Sequence, residues 1–257
     1  MVRPPKDIIQ FPSPNWNERP SSTEKGYPDI DTVILHYTGM PTGREALERL
    51  CSAESEVSAH YLIEENGDIY QLVAPERRAW HAGISSWQGR ENMNHTSIGI
   101  EIVNPGHEFG YRRFSDRQIE RLIALLGFLK ETFDIPTGRF LGHSDVAPGR
   151  KQDPGELFPW QWLAQHGYGV WASDYMNNAT NNAKKSKLEP DDASLKNMLA
   201  AIGYGGMSDG LIGRSASQST IDALKAFQRH WHPKKVDGQL DPETEAILLE
   251  IADKINS

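Results

Sequence analysis

The sequence contains one cysteine, Cys51, in 257 residues. No intramolecular disulfide can form, which fits a reducing compartment and leaves an oxidising one open. No apolar run approaches the roughly 18 residues that a membrane-spanning helix needs, and the opening MVRPPKDIIQFPSPNWNERP lacks the apolar core of a secretory leader. A cytoplasmic location is expected on that reading, and a periplasmic one if a leader has been removed. Positive charge is not in excess, with 27 Lys and Arg against 35 Asp and Glu. Without a basic stripe, duplex nucleic acid and polybasic membrane anchoring are both disfavoured as partners. Tandem repeats are lacking, and nothing in the sequence bears on oligomeric state.

What is present is an alternation of strand and helix patterns. DTVILH (31–36) reads as a buried strand and REALERLC (44–51) as a short helix, while VSAHYLI and DIYQLVA flank EENG as a hairpin. SIGIEIV (97–103) reads as a central strand. SDRQIERLIALLGFLKETF (115–133) is the clearest helix, with Ser115 and Gln118 as a capping box and apolar residues at helical spacing. The pattern predicts an α/β fold, a sheet covered by helices, over residues 1–173. Residues 174–187, rich in Asn, Lys and Ser, read as a solvated linker. Residues 188–257 carry three helical patterns, the last opened by Asp241 as N-cap and Pro242 at the first helical position. The polar linker predicts that this small three-helix domain is separable from the rest.

Chemistry concentrates in GHSDVAPGRKQDPG (142–155), which brings an imidazole (His143), an ammonium (Lys151) and a carboxylate (Asp153) within eleven residues. Prolines and glycines keep the segment from regular helix and let these groups converge. Two more polar residues interrupt apolar runs: His36 ends TVILH and Glu101 breaks SIGIEIV. Singly, each has a structural explanation: a hydrogen-bonded strand-end histidine, an Asp153–Lys151 ion pair, or Glu101 in solvent on an edge strand. Together, two His and one Asp form an N,N,O set suited to zinc with one coordination position open. A buried unpaired glutamate is costly unless it has a task, and Glu101 with Lys151 suits amide hydrolysis as base and oxyanion partner. His60 and His81 stand as a fourth ligand, substrate contacts or structural residues. His166, His230 and His232 read as surface residues.

The ordered set VILHYTG, VSAHYLIEENGDIYQLV, RAWHAG, SIGIEIVN and GHSDVAPGRKQDPG resembles the zinc-dependent N-acetylmuramoyl-L-alanine amidases over about residues 30–170. That superfamily includes the AmpD and AmiD amidases, the phage amidase and the peptidoglycan recognition proteins. With Asp153 as third ligand in place of cysteine, and Ala59 where the phage enzyme has a tyrosine, the likeness is to the AmpD/AmiD side. The resemblance implies a central mixed β-sheet flanked by helices and one zinc ion on His36, His143 and Asp153. It further implies Glu101 as catalytic base and Lys151 as transition-state lysine, in cell-wall turnover or muropeptide recycling. LKNMLAAIGYG, IDALKAFQRHW and VDGQLDPETEAIL resemble the helical peptidoglycan-binding module of cell-wall hydrolases.

On that reading the substrate is the amide between muramic acid, intact or 1,6-anhydro, and L-alanine of the stem peptide. Trp80 and His81, in the loop after the hairpin, become candidates for contacting sugar or peptide. Arg78, Arg90 and Asn94 become candidates for the peptide carboxylates. The alternative is a non-catalytic peptidoglycan-binding protein with the same fold. A further alternative, a metal that only stabilises the fold, would be signalled by a fourth protein ligand such as His60.

Overall fold

The computed structural model describes residues 4–21, 30–173, 192–205 and 216–257; the expected linker at 174–187 lies outside them. Six strands form the main sheet: β1 (Ile8–Gln10), β3 (Thr32–Tyr37), β4 (Tyr61–Ile63), β5 (Ile69–Gln71), β9 (Ser97–Ile102) and β10 (Phe140–Gly142). Their order is β1-β5-β4-β9-β3-β10. Only the β4–β5 hairpin is antiparallel; every other neighbouring pair is parallel. Short two-stranded ribbons join β2 (Trp16–Asn17) to β6 (Arg78–Ala79) and β7 (Ser86–Trp87) to β8 (Arg90–Glu91). The mixed sheet expected from the sequence is thus present, and β9 lies inside it rather than at an edge.

The near-continuous apolar runs of β3 and β9 fit parallel strands covered on both faces. Side-chain alternation assigns the faces. Val33, Leu35, Ile98, Ile100 and Ile102 pack against Leu122, Leu125, Leu126 and Leu129 of the long helix α3 (Asp116–Phe133), which starts at the expected Ser115–Gln118 capping box. Ile34 points the other way, and by the same period so do His36, Gly99 and Glu101. Helix α1 (Gly43–Cys51), also opened by a capping box, covers Leu62 on this second face. A short helix α2 (Gly106–Phe109) follows β9.

After β10 the chain makes one helical turn, α4 (His143–Val146), where the sequence predicted irregular loop throughout, and reaches α5 (Trp160–Gln165). The C-terminal helices are α6 (Asp192–Ile202), α7 (Ala216–Trp231) and α8 (Pro242–Asn256). Asp241 caps α8 by accepting from Thr244 N–H at 2.7 Å, an interaction worth about 1 kcal/mol in comparable helices. Among the described residues no helix is long and apolar enough to cross a membrane.

The C-terminal helices share a core with the sheet-bearing part of the chain. Leu199, Ile202, Tyr204, Phe227 and Trp231 form one buried cluster with Ile34, Trp87, Met93, Leu141 and Val146. At its centre the buried Asp145 carboxylate accepts from Gly142 N–H, from Tyr204 O–H and from His230 Nδ1, each at 2.7 Å. His230, flanked by Trp160 and Trp231 at ring separations of 3.7 Å, is 2 % exposed, and His232 is 7 % exposed. These two histidines are therefore interior residues, contrary to the surface assignment. His230 lies on the same helical stripe as Phe227 and Trp231, and His232, just past the end of α7, is covered by α8 through Thr244 Oγ1 at 3.2 Å.

This continuous core runs against a freely separable module. A chain ending at Lys184 loses the cover over Trp87, Met93, Leu141 and Val146, and Asp145 loses two of its three partners. We expect that truncation to be insoluble or to melt well below the full chain, which should itself unfold in one cooperative transition. Thermal melts of both proteins check this, and a soluble core with an unchanged Tm would contradict it.

Candidate metal centre and active site

The site is built at the carboxyl ends of the parallel strands, the usual location for function in such sheets. Gly142 of β10 is in register with Leu35 of β3, so the next residues, His143 and His36, come side by side. His36 is also in register with Glu101 of β9. The loop returns Asp153 to the pair through a Ser144 N–H to Asp153 carbonyl bond of 2.9 Å. Gly142 permits this return, because a Cβ there would lie 2.8 Å from Pro154 Cδ.

His36 Nδ1, His143 Nδ1 and Asp153 Oδ2 form a triangle with sides of 2.9, 3.0 and 3.0 Å. All three residues are buried, and they make up the candidate metal cluster found among the described residues. The donor set fits a cation. Arg150 Nη2 directs its two hydrogens to the carbonyls of Ala82 (2.6 Å) and Ile84 (2.7 Å). His143 Nε2 lies 3.1 Å from the same Ala82 oxygen, which can only accept, so Nε2 carries the ring hydrogen and Nδ1 is bare. A bare nitrogen facing a carboxylate oxygen at 3.0 Å is unfavourable until a positive charge lies between them. Burial, reinforced by His143, lowers the His36 pKa to about 4, so this imidazole also enters neutral. Asp153 engages both imidazoles rather than Lys151, as an ion pair between near neighbours would have required.

Glu101 has one carboxylate oxygen, Oε2, buried without a hydrogen-bond partner. Burial and the charge of Asp153 push its pKa well above the usual range, and Lys151 opposes that shift. His36, Glu101, His143, Lys151 and Asp153 all line one cleft of about 600 Å³, which α1 borders on one side and residues 150–153 on another.

Of the other expected residues, Trp80 and His81 border this cleft. His81 is turned inward: its Nδ1 meets His36 Nε2 at 3.1 Å and its Nε2 meets Ser97 Oγ at 3.2 Å. Arg78, Arg90 and Asn94 are not on the cleft wall. Arg78 reaches Asn17 and Asn92, Arg90 pairs with Asp31, and Asn94 Oδ1 accepts from the N–H groups of His81 and Ala82. His60 is not a fourth ligand. Its Nδ1 accepts from Gly99 N–H at 2.9 Å, and its Nε2 faces the Arg77 carbonyl and the Arg19 guanidinium, each at 3.0 Å. Sequence reasoning missed the Ala82 carbonyl, Ser97 and Arg150. Arg150, inside the loop already singled out, was the one with a signal.

Fold and site together define a class: an α/β protein with a candidate three-residue metal site at the ends of its central strands. The family model described as N-acetylmuramoyl-L-alanine amidase matches residues 26–156, and one for a peptidoglycan binding domain matches residues 189–248. The chain is 35% identical over 243 residues to the N-acetylmuramoyl-L-alanine amidase AmiD of Escherichia coli K12, covering 90% of this chain and 85% of AmiD. It is 42% identical over 168 residues to the 1,6-anhydro-N-acetylmuramyl-L-alanine amidase AmpD of Citrobacter freundii, covering 59% of this chain and 85% of AmpD. The crystal structure of AmpDh3 from Pseudomonas aeruginosa matches with a TM-score of 0.78 at 34% identity, over 89% of this chain and 93% of the other. A complex of E. coli AmiD with the substrate anhydro-N-acetylmuramic acid-L-Ala-D-gamma-Glu-L-Lys matches with a TM-score of 0.76 at 34% identity, over 89% and 90%. The chain belongs to the N-acetylmuramoyl-L-alanine amidase family.

One divalent ion per chain is expected by elemental analysis. His36→Ala removes one corner of the triangle and should abolish stoichiometric binding. Full metal content in that variant would move the site to other residues.

Proposed function

We propose that the protein is a zinc amidase that hydrolyses the bond between the lactyl carbonyl of N-acetylmuramic acid, or its 1,6-anhydro form, and L-alanine of the peptidoglycan stem peptide. The observation that carries this reading is the unpartnered, buried Glu101 carboxylate oxygen in register with His36, beside a site that only three protein side chains fill. Family membership supports the same substrate class, and the AmiD complex contains an anhydromuramyl peptide. His36, His143 and Asp153 would hold the zinc. When bound, zinc supplies Lewis acidity that polarises the scissile carbonyl and lowers the pKa of water from about 16 toward 7.

The remaining chemistry falls to side chains of the chain. Glu101, raised in proton affinity by burial, accepts the proton of the attacking water and returns it to the departing alanine amine, so no net proton is gained or lost. Lys151 brings an ammonium to the cleft wall, where it favours the negative charge that develops on the carbonyl oxygen. Asp153 would supply the one negative charge of the ligand set. With two imidazoles and one carboxylate as ligands, a divalent ion would retain about one positive charge, which would favour the same oxyanion. The engaged nitrogens of His60 argue against a closed, purely structural site. The peptidoglycan-binding match in the C-terminal helices supports a polymeric or muropeptide substrate, with those helices also backing the metal loop.

Zinc-loaded protein should release the free tripeptide from anhydro-N-acetylmuramyl-L-Ala-D-γ-Glu-L-Lys or stem peptides from purified sacculi, as read by mass analysis of products. No cleavage of either substrate would favour a non-catalytic binding protein. Glu101→Gln should keep metal and fold but lose about 10²–10⁴-fold in turnover; near-normal turnover would remove Glu101 from the base role. Lys151→Met should lower kcat more than it raises KM, since its charge acts on the transition state.

A further inference from the structure

We propose that His81, backed by Ser97 and held by Asn94, is a positioning residue that fixes which ring nitrogen of His36 is presented to the metal. The proposal rests on His36 being a metal ligand. It assigns to His81 a task distinct from the substrate contact that its place beside Trp80 implies.

The argument is a chain of hydrogen assignments. Ser97 Oγ lies 2.6 Å from the Met93 carbonyl, which only accepts, so the hydroxyl hydrogen points there. The hydroxyl is then left to accept from His81 Nε2 at 3.2 Å, and His81 carries its hydrogen on Nε2. His81 Nδ1 is therefore bare, and His36 Nε2, 3.1 Å away, must be the donor. A neutral imidazole has a single N–H. With that hydrogen spent on His81, His36 Nδ1 presents its lone pair to His143 and Asp153. The next residue does the same for the other imidazole, through the Ala82 carbonyl on His143 Nε2 at 3.1 Å. One side chain holds both backbone units, because Asn94 Oδ1 accepts from His81 N–H at 3.1 Å and Ala82 N–H at 2.8 Å.

The sheet is shaped for this ring. A Cβ at position 99 would lie 2.3 Å from His81 Cγ, so Gly99, in the middle of central strand β9, leaves the space that the imidazole occupies. Glycine weakens a strand interior unless something must approach closely. Here the approaching group is His81. With Ser97 at 0% and His81 at 9% exposure, little water reaches the relay to exchange partners with it.

His81→Asn and His81→Leu separate positioning from packing. Asparagine can place its Oδ1 where His81 Nδ1 stands and so keeps an acceptor for His36; leucine fills the space without one. In metal-free, ¹⁵N-labelled protein, long-range ¹H–¹⁵N correlations should find His36 protonated on Nε2 and bare on Nδ1 in the wild type and in His81→Asn. His81→Leu should mix the two forms. Zinc affinity, measured by chelator competition, should fall about 10- to 100-fold in His81→Leu and stay within a few-fold of wild type in His81→Asn. Should the leucine variant not fold, Ser97→Ala removes the acceptor behind His81 and should mix the His36 forms by the same logic. A hydrogen on His36 Nδ1 in the wild type would overturn the proposal, as would equal zinc affinity in all variants. A wild type that takes up no zinc would instead sink the zinc reading itself, leaving the His36 hydrogen to be read independently.

Discussion

The parallel register of β3 with β9 and β10 is the constraint on which everything functional here depends. It aligns His36 with Glu101 and brings His36 next to His143 at the end of the neighbouring strand. Because side chains alternate along a strand, a slip of one residue would turn His36 into the layer beneath α3 and bring Leu35 or Tyr37 to its place in the cleft. The apolar residues therefore do more than fill the interior. Val33, Leu35, Ile98, Ile100 and Ile102 fix the register by needing the α3 face, and the polar residues between them are delivered to the cleft as a consequence.

A second dependence runs through the buried Asp145, two residues after a metal-site histidine. Its carboxylate ties the start of the loop at Gly142 to Tyr204 and to His230, both from the C-terminal part of the chain. A buried carboxylate without such partners is strongly unfavourable, so each bond holds the others in place. The C-terminal helices thus take part in shaping the loop that bears His143, Lys151 and Asp153, besides any contact they make with the cell wall.

Much of this was legible in the sequence, for physical reasons that differ by residue. His36 and Glu101 stood out because a polar group within an apolar strand needs a partner or a task. The Ser115–Gln118 and Asp241 caps were readable because capping is local, involving residues three apart. β3 and β9 were readable as buried strands from their near-continuous apolar runs. What could not be read depended on which distant groups meet. Arg78, Arg90 and Asn94 are polar residues of irregular segments and look like substrate contacts, yet their partners are Asn17 and Asn92, Asp31, and the backbone at residues 81–82. His230 was misread because polarity was weighed above its place on the stripe with Phe227 and Trp231, and His232 because its cover comes from Thr244 of the following helix. The inward turn of His81 follows from a glycine gap in a strand that is remote in sequence.

Two carboxylates of the cleft show how environment alone divides roles. Asp153 and Glu101 are chemically alike, both in the same site, and each feels the desolvation that favours a neutral carboxyl. Asp153 Oδ2 faces the bare nitrogens of two imidazoles at 3.0 Å, an arrangement in which a cation between them would keep it ionised. Glu101 is only partly buried overall, but its Oε2 is shut away without a partner, and the nearby negative charge of Asp153 adds to the upward push. The first carboxylate suits a permanent anionic ligand. The second has the proton affinity to pick up a proton and give it back, and exchanging the two environments would remove both functions at once.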